Sequence, residues 1–175
     1  EPHAGQMLVS AHALGILEAV HPALKRAGRI RRALLAADAL ADWPAPLYSA
    51  LLAWPLTREQ ASAMANRLGF TAAQRQVVKG VQRTKRLTPT LGRAKLKPSQ
   101  AFRLLKGLPQ EALRAAQLAT ASPLARERLD QFLKDWRRVR PALSGNDLLA
   151  LGVPQGPLVG RLLEALQAAR LDGSL

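Results

Sequence analysis

Apolar residues recur at helical spacing along almost the whole chain, while alternating runs rich in valine, isoleucine or aromatics are nearly absent. A period of three to four residues gives each segment one apolar stripe and leaves nothing that reads as a half-buried strand. The fold class is therefore all-α: an irregular multi-helix array ending in a compact helical hairpin. The segment starts carry capping chemistry. Thr57 with Gln60 and Thr71 with Gln74 each place a hydroxyl before a helix and an amide at its third position, satisfying exposed backbone donors reciprocally. Ser122 followed by Pro123 marks another start. The spacing predicts helices over 5–18, 23–40, 45–53, 58–68, 72–87, 100–106, 110–119, 123–139, 146–151 and 157–170. Connections are short except for TPTLGRAKLKP, residues 88–98. No repeat of fixed period occurs, which disfavours a regular solenoid. We divide the chain into helical segments 1–90 and 91–143 and a tail hairpin, 144–175.

The stretch SGNDLLALGVPQGPLVGRLLEALQAARLDG shows why the chain stops, turns and restarts there. Ser144 with Asp147 caps one helix, and Gly152 is placed to end it in the left-handed conformation. Gly156 and Pro157 begin the next, proline taking the first turn where its missing N–H costs nothing. Gly160, one turn on, is expected to remove a side chain where the two helices nearly touch.

With 175 residues the chain can bury roughly 70% of its unfolded surface, enough for one substantial core or two small ones. It has no cysteine, which excludes disulfides and thiolate metal sites and makes a reducing compartment, the cytosol, the default expectation. The apolar stretch WPAPLYSALLAWPL is short of the roughly 18 residues a membrane span needs and holds three prolines, so Tyr48, Leu51 and Leu52 read as core. The chain opens on Glu1 without a signal-peptide pattern, and we read it as a fragment of something longer.

Catalytic signatures are missing from the sequence. Two-metal phosphoryl transfer needs converging carboxylates, yet no Asp-x-Asp pair exists; Glu127 and Asp130 sit among Arg126, Arg128 and Arg137, where local ion pairing accounts for them. His3, His12 and His21 are nine residues apart, which turns each about half a turn from the last and spoils a shared ligand face, so no metal or cofactor is expected in this chain. No phosphate loop, dinucleotide fingerprint or nucleophile elbow occurs.

Charge is where the sequence is organised. The formal net charge is +14, and from Gln60 to Gln110 no acidic residue occurs. A merely solvated face mixes both signs. At about 100° per residue, Arg75, Lys79, Arg83 and Arg86 fall in one narrow sector, with Phe70, Val77, Val78 and Val81 opposite. The stripe leads to Arg93, Lys95 and Lys97, a spacing suited to a phosphate backbone. These seven residues are the candidate phosphate-binding set, which becomes an RNA-binding set on the resemblance given below. Lys25, Arg26, Arg29, Arg31 and Arg32 go around their helix, and Arg137, Arg138 and Arg140 complement a helix C-terminus, so both clusters carry less weight. Trp136 reads as a core anchor, and seven aromatics in all provide no extended stacking surface.

The closing segment resembles the tail of the bacterial-type tRNA nucleotidyltransferase and poly(A) polymerase family, which ends in Gly-x-Asp-Leu, Leu-Gly, Gly-Pro-x-x-Gly and Leu-Asp-Gly. Here these are Gly145, Asp147 and Leu148; Leu151 and Gly152; Gly156, Pro157 and Gly160; and Leu171, Asp172 and Gly173. ALGILEAVHPAL, with Ala23 replacing the usual acid, LYSALLAW, ANRLGFTAAQRQVV, KPSQAFRLLKGLPQEAL and FLKDWRRVRP are similar to family segments in the same order. The family's catalytic head, with its glycine-rich loop and metal-binding Asp pair, has no counterpart in this sequence, so no catalytic residue carries over. The resemblance implies a non-catalytic body-and-tail region that holds tRNA or other structured RNA for a nucleotidyltransferase head in the same or another chain, in the cytoplasm and without a membrane. Two alternatives stay open: a helix-hairpin-helix-like DNA-binding module, although Gly152 and Gly156 are too far apart for its usual turn, and a helical protein-interaction adaptor.

Overall fold

The computed structural model describes residues 3–40 and 45–174. Trp43 and Pro44, which open the proline-bounded apolar stretch, and Glu1 lie outside the described residues. The all-α expectation holds, and no strand occurs among the described residues. In chain order the helices are α1 (Ala4–Ala13), α2 (Ile16–Val20), α3 (Arg31–Asp38), α4 (Pro46–Ala53), α5 (Arg58–Arg67), α6 (Ala72–Leu91), α7 (Pro98–Leu105), α8 (Gln110–Ala119), α9 (Pro123–Lys134), α10 (Gly145–Ala150) and α11 (Pro157–Leu171). Two 3₁₀ segments, Pro22–Ile30 and Trp136–Arg138, interrupt the series.

Four boundaries differ from the sequence reading, each for a physical reason. The expected helix 5–18 breaks at Gly15, whose φ of 72° is left-handed and ends α1 before α2 starts. Residues 22–30 wind as 3₁₀ rather than α because their buried residues, Leu24, Ala27 and Ile30, recur every third position, the pitch of a three-residue turn. The helix beginning at Ala72 continues past 87 to Leu91 with Pro89 inside it. Near that end the Thr84 and Thr88 hydroxyls bond back to the Gly80 and Thr84 carbonyls. Finally, α9 stops at Lys134 and tightens into 3₁₀ instead of running to 139.

Two hydrophobic cores result. The first gathers Leu24, Leu34, Leu47, Leu51, Leu56 and Met64 with Val77, Val78 and Val81 of α6. The second gathers Leu91, Phe102, Leu105, Leu113, Leu129 and Phe132. Helices α6 and α8 contribute to both, and Trp54 packs against both. Trp136 packs against the second, as a core anchor should.

Long-range polar clamps hold the array where burial alone would not. The Asp38 carboxylate accepts from the Gly5 and Gln6 N–H groups at 2.7 and 2.9 Å and from the Tyr48 hydroxyl at 2.8 Å, capping α1 from α3. Gly5 is required there: a Cβ would lie 2.1 Å from the Leu34 carbonyl oxygen. Burial alone would raise the Asp38 carboxyl, but the bonds from Gly5, Tyr48 and Gln6 outweigh it and hold it below its ordinary value. Burial, then Asp38 itself, pushes the Tyr48 phenol up to about 12.

The tail forms the expected two-helix unit, with the Ser144 and Asp147 capping box and Gly152 at φ 85°. Its close contact is not at Gly160. A Cβ there would meet open space, whereas one on Gly145 would sit 3.7 Å from Val159. The arithmetic of one turn past Pro157 identified a helical position but not which way it faces. The tail is tied to the body by polar bonds: Asp172 accepts from the Ser99 N–H and hydroxyl at the start of α7, and Gln167 donates to the Val139 carbonyl.

Candidate nucleic-acid interface

Helices α5 and α6 are joined by a short turn, and each begins with the capping box expected from its threonine. Ala61 and Met64 on the inner face of α5 join Val77, Val78 and Val81 of α6 in the first core. Side chains of α6 then pin it to the chain entering α5: Gln82 donates to the Ala53 carbonyl and Lys85 to the Leu56 carbonyl. Burial, and secondarily the charge of Arg26, lowers the Lys85 pKa. With the inner faces fixed, the outer rims are left lining a groove of about 500 Å³.

Arg58, Ser62 and Asn66 of α5 form one wall, and Arg75, Lys79, Arg83 and Arg86 of α6 form the other. No carboxylate lines it. Arg75 to Arg86 spans eleven residues, about 16 Å along the axis, long enough to meet more than one phosphate of a strand. The side chains of Lys79, Arg83 and Arg86 are exposed and, among the described residues, make no hydrogen bond or ion pair. An anion entering the groove therefore meets cations that it need not take from another partner.

The seven candidates divide on this geometry. Arg75, Lys79, Arg83 and Arg86 share the groove, but Arg75 also has a structural duty, donating from Nε to the Phe70 carbonyl and from Nη1 to Asn66. Arg93, Lys95 and Lys97 do not line the groove; they are exposed on residues 92–97, beyond the end of α6. That loop is shaped by Arg128, whose guanidinium donates to the carbonyls of Leu91, Arg93, Ala94 and Leu96. Arg128 is thus not the ion-pair partner of Glu127 or Asp130 that proximity suggested. Asp130 pairs instead with Lys134 at 2.8 Å and Arg114 at 4.0 Å.

Arg58, Ser62 and Asn66 escaped the sequence reading. They belong to a different helix, and only the folding of α5 onto α6 brings them opposite the stripe. The lesser clusters stay apart from this groove. Lys25, Arg26, Arg29, Arg31 and Arg32 are all exposed around the Pro22–Ile30 segment and the start of α3. Arg138, Arg140 and Arg170 gather with Lys134 and Asp135 at the end of α9, where Arg170 donates to the Arg140 carbonyl.

Among the described residues no group of three His, Cys, Asp or Glu side chains could hold a metal ion. His21 accepts from the Ala23 N–H at the start of the 3₁₀ segment, and the Nδ1 of His12 is buried without a partner. No helix among the described residues is long and apolar enough to cross a membrane.

Compared with protein-family models, curated proteins and solved structures, the chain matches none. The likeness of its closing segment to the nucleotidyltransferase tail therefore rests on the residues quoted above alone.

Proposed function

We propose that this chain is an RNA-binding helical region that grips structured RNA by its phosphates. The observation that carries the reading is the α5–α6 groove, where five cations face one another without a carboxylate. Such a surface favours polyanions through counterion release and long-range attraction. It suits recognition by shape, since A-form RNA presents phosphates and 2′-hydroxyls rather than readable major-groove edges.

The sequence resemblance supplies the RNA class. On that reading the substrate is tRNA, and the chain acts as the non-catalytic body and tail that keeps a 3′ end within reach of a nucleotidyltransferase head in the same or another chain. The tail, bonded to α7 through Asp172, would then serve as a rigid extension of the grip.

The test is fluorescence anisotropy with labelled tRNA, competed by unlabelled tRNA or by duplex DNA. The reading requires salt-sensitive binding displaced more readily by tRNA than by DNA. Stronger competition by DNA would favour a DNA-binding module, and absent or salt-insensitive binding would favour a protein adaptor.

A further inference from the structure

An open recess of about 630 Å³ lies where the last turns of α6 meet the C-terminal ends of α4 and α8 and the start of α9. Its lining includes Trp54 and Pro89 together with Lys85, Thr88, Thr120 and Ser122. Trp54 caps the end of α4 and packs against both cores, so its position is fixed from behind. The polar groups are held by internal bonds. Lys85 donates to the Leu56 carbonyl, and the Thr88 hydroxyl donates to Thr84. The Thr120 and Ser122 hydroxyls instead accept, from the Ser122 and Ala125 N–H groups. Thr120 is buried, and the partly exposed Ser122 hydroxyl retains an O–H donor at the wall of the recess.

This chemistry differs from that of the groove. The recess holds one ammonium, which donates to the Leu56 carbonyl, against five cations in the groove, so it is the poorer of the two for phosphate. An aromatic ring, a proline ring and the Ser122 hydroxyl donor suit a flat, largely apolar group with an acceptor on its edge, which describes a nucleobase. The recess is also placed to receive one. Arg86 lines the groove, and Pro89 lines the recess three residues further on. That separation is about 4.5 Å along the axis and makes the two side chains neighbours on the helix surface. A strand whose phosphates follow Lys79, Arg83 and Arg86 is delivered to the edge of the recess.

We propose that the Trp54–Pro89 recess takes one unpaired nucleobase of the RNA whose phosphates occupy the groove. This rests on the RNA-binding reading and adds a preference for a helix that ends in, or is interrupted by, a single-stranded nucleotide.

Three probes test it by fluorescence anisotropy on the full chain: a blunt RNA duplex, the same duplex with a short 3′ overhang, and that overhang made abasic. The wild-type protein binds the overhang probe about tenfold more tightly than the other two, which is about 1.4 kcal/mol and within the range for one stacked base. Ala121→Leu places a larger side chain at an exposed position lining the recess and leaves the core untouched. It abolishes the overhang preference while blunt-duplex affinity and melting temperature stay unchanged. Equal binding of the normal and abasic overhangs, or a preference that survives in Ala121→Leu, overturns the recess while blunt-duplex binding keeps the groove standing. No binding to any of the three probes overturns both.

Discussion

Removing the Asp38 carboxylate tests how the N-terminal helices are held. Asp38→Ala deletes three hydrogen bonds at once: two to the first N–H groups of α1 and one to the Tyr48 hydroxyl. Loss of a helix cap costs about 0.5–2 kcal/mol, and a further bond to an ionised group contributes about 1.5–3 kcal/mol. Asp38 and Tyr48 are only partly buried, so water replaces some of what is lost. We expect about 2–3 kcal/mol in total, which at 2–4 °C per kcal/mol for a chain of this size lowers the melting temperature by about 4–12 °C. The pH dependence carries a sign. The folded Asp38 pKa lies below the unfolded one, near 3.9, so its stabilisation is complete above that value and fades as pH falls through the folded value. The gap between wild-type and variant melting temperatures, followed by circular dichroism, should therefore be widest near neutral pH and narrow below about pH 4. Equal melting temperatures at neutral pH, or a gap that widens in acid, would refute the clamp.

Two glycines should behave in opposite ways. Gly160→Leu enters open space on a helix and should raise stability by up to about 0.8 kcal/mol through helix propensity. Gly80→Val drives its Cβ to 2.7 Å from the Pro109 ring and should cost about 1–3 kcal/mol; thermal melts that show the reverse order would undo the packing assignment. Arg128→Gln releases the carbonyls that shape residues 92–97, so limited trypsin digestion should cut after Arg93 and Lys95 faster than in the wild type. Unchanged cleavage would show that the loop is held by something else.

How far the sequence reveals this molecule depends on the range of each interaction. The starts of α5, α6 and α10 follow from Thr57, Thr71 and Ser144 because a capping box is written within four residues. The end of α6 was harder to read, since Pro89 looks like a terminator and the helix instead runs two residues past it. The 3₁₀ segment had a local signature, Leu24, Ala27 and Ile30 at a spacing of three, which also lies within the tolerance of an α-helical stripe. The Asp38 and Asp172 clamps join residues 33 and 73 positions apart and leave no local trace. The candidate site divides in the same way. Angular arithmetic on α6 placed Arg75, Lys79, Arg83 and Arg86 together, but the facing wall of Arg58, Ser62 and Asn66 exists only after α5 folds back. The structural duties of Arg75 and Arg128 depend on carbonyls supplied by helix ends and loops elsewhere.

The central claim is that the groove cations contact RNA phosphates, and the salt dependence of tRNA affinity measures this most directly. Lys79→Gln, Arg83→Gln and Arg86→Gln, made together, remove exposed charges that have no partner among the described residues, so the fold should be unaffected. The account predicts weaker binding to all structured RNAs alike and a log-affinity against log-salt slope flatter by roughly 0.7–0.9 for each lost contact, about 2–3 for the triple variant. An unchanged slope in the triple variant, with the same loss produced instead by Arg137→Gln, Arg138→Gln and Arg140→Gln, would contradict it and move the site to the end of α9.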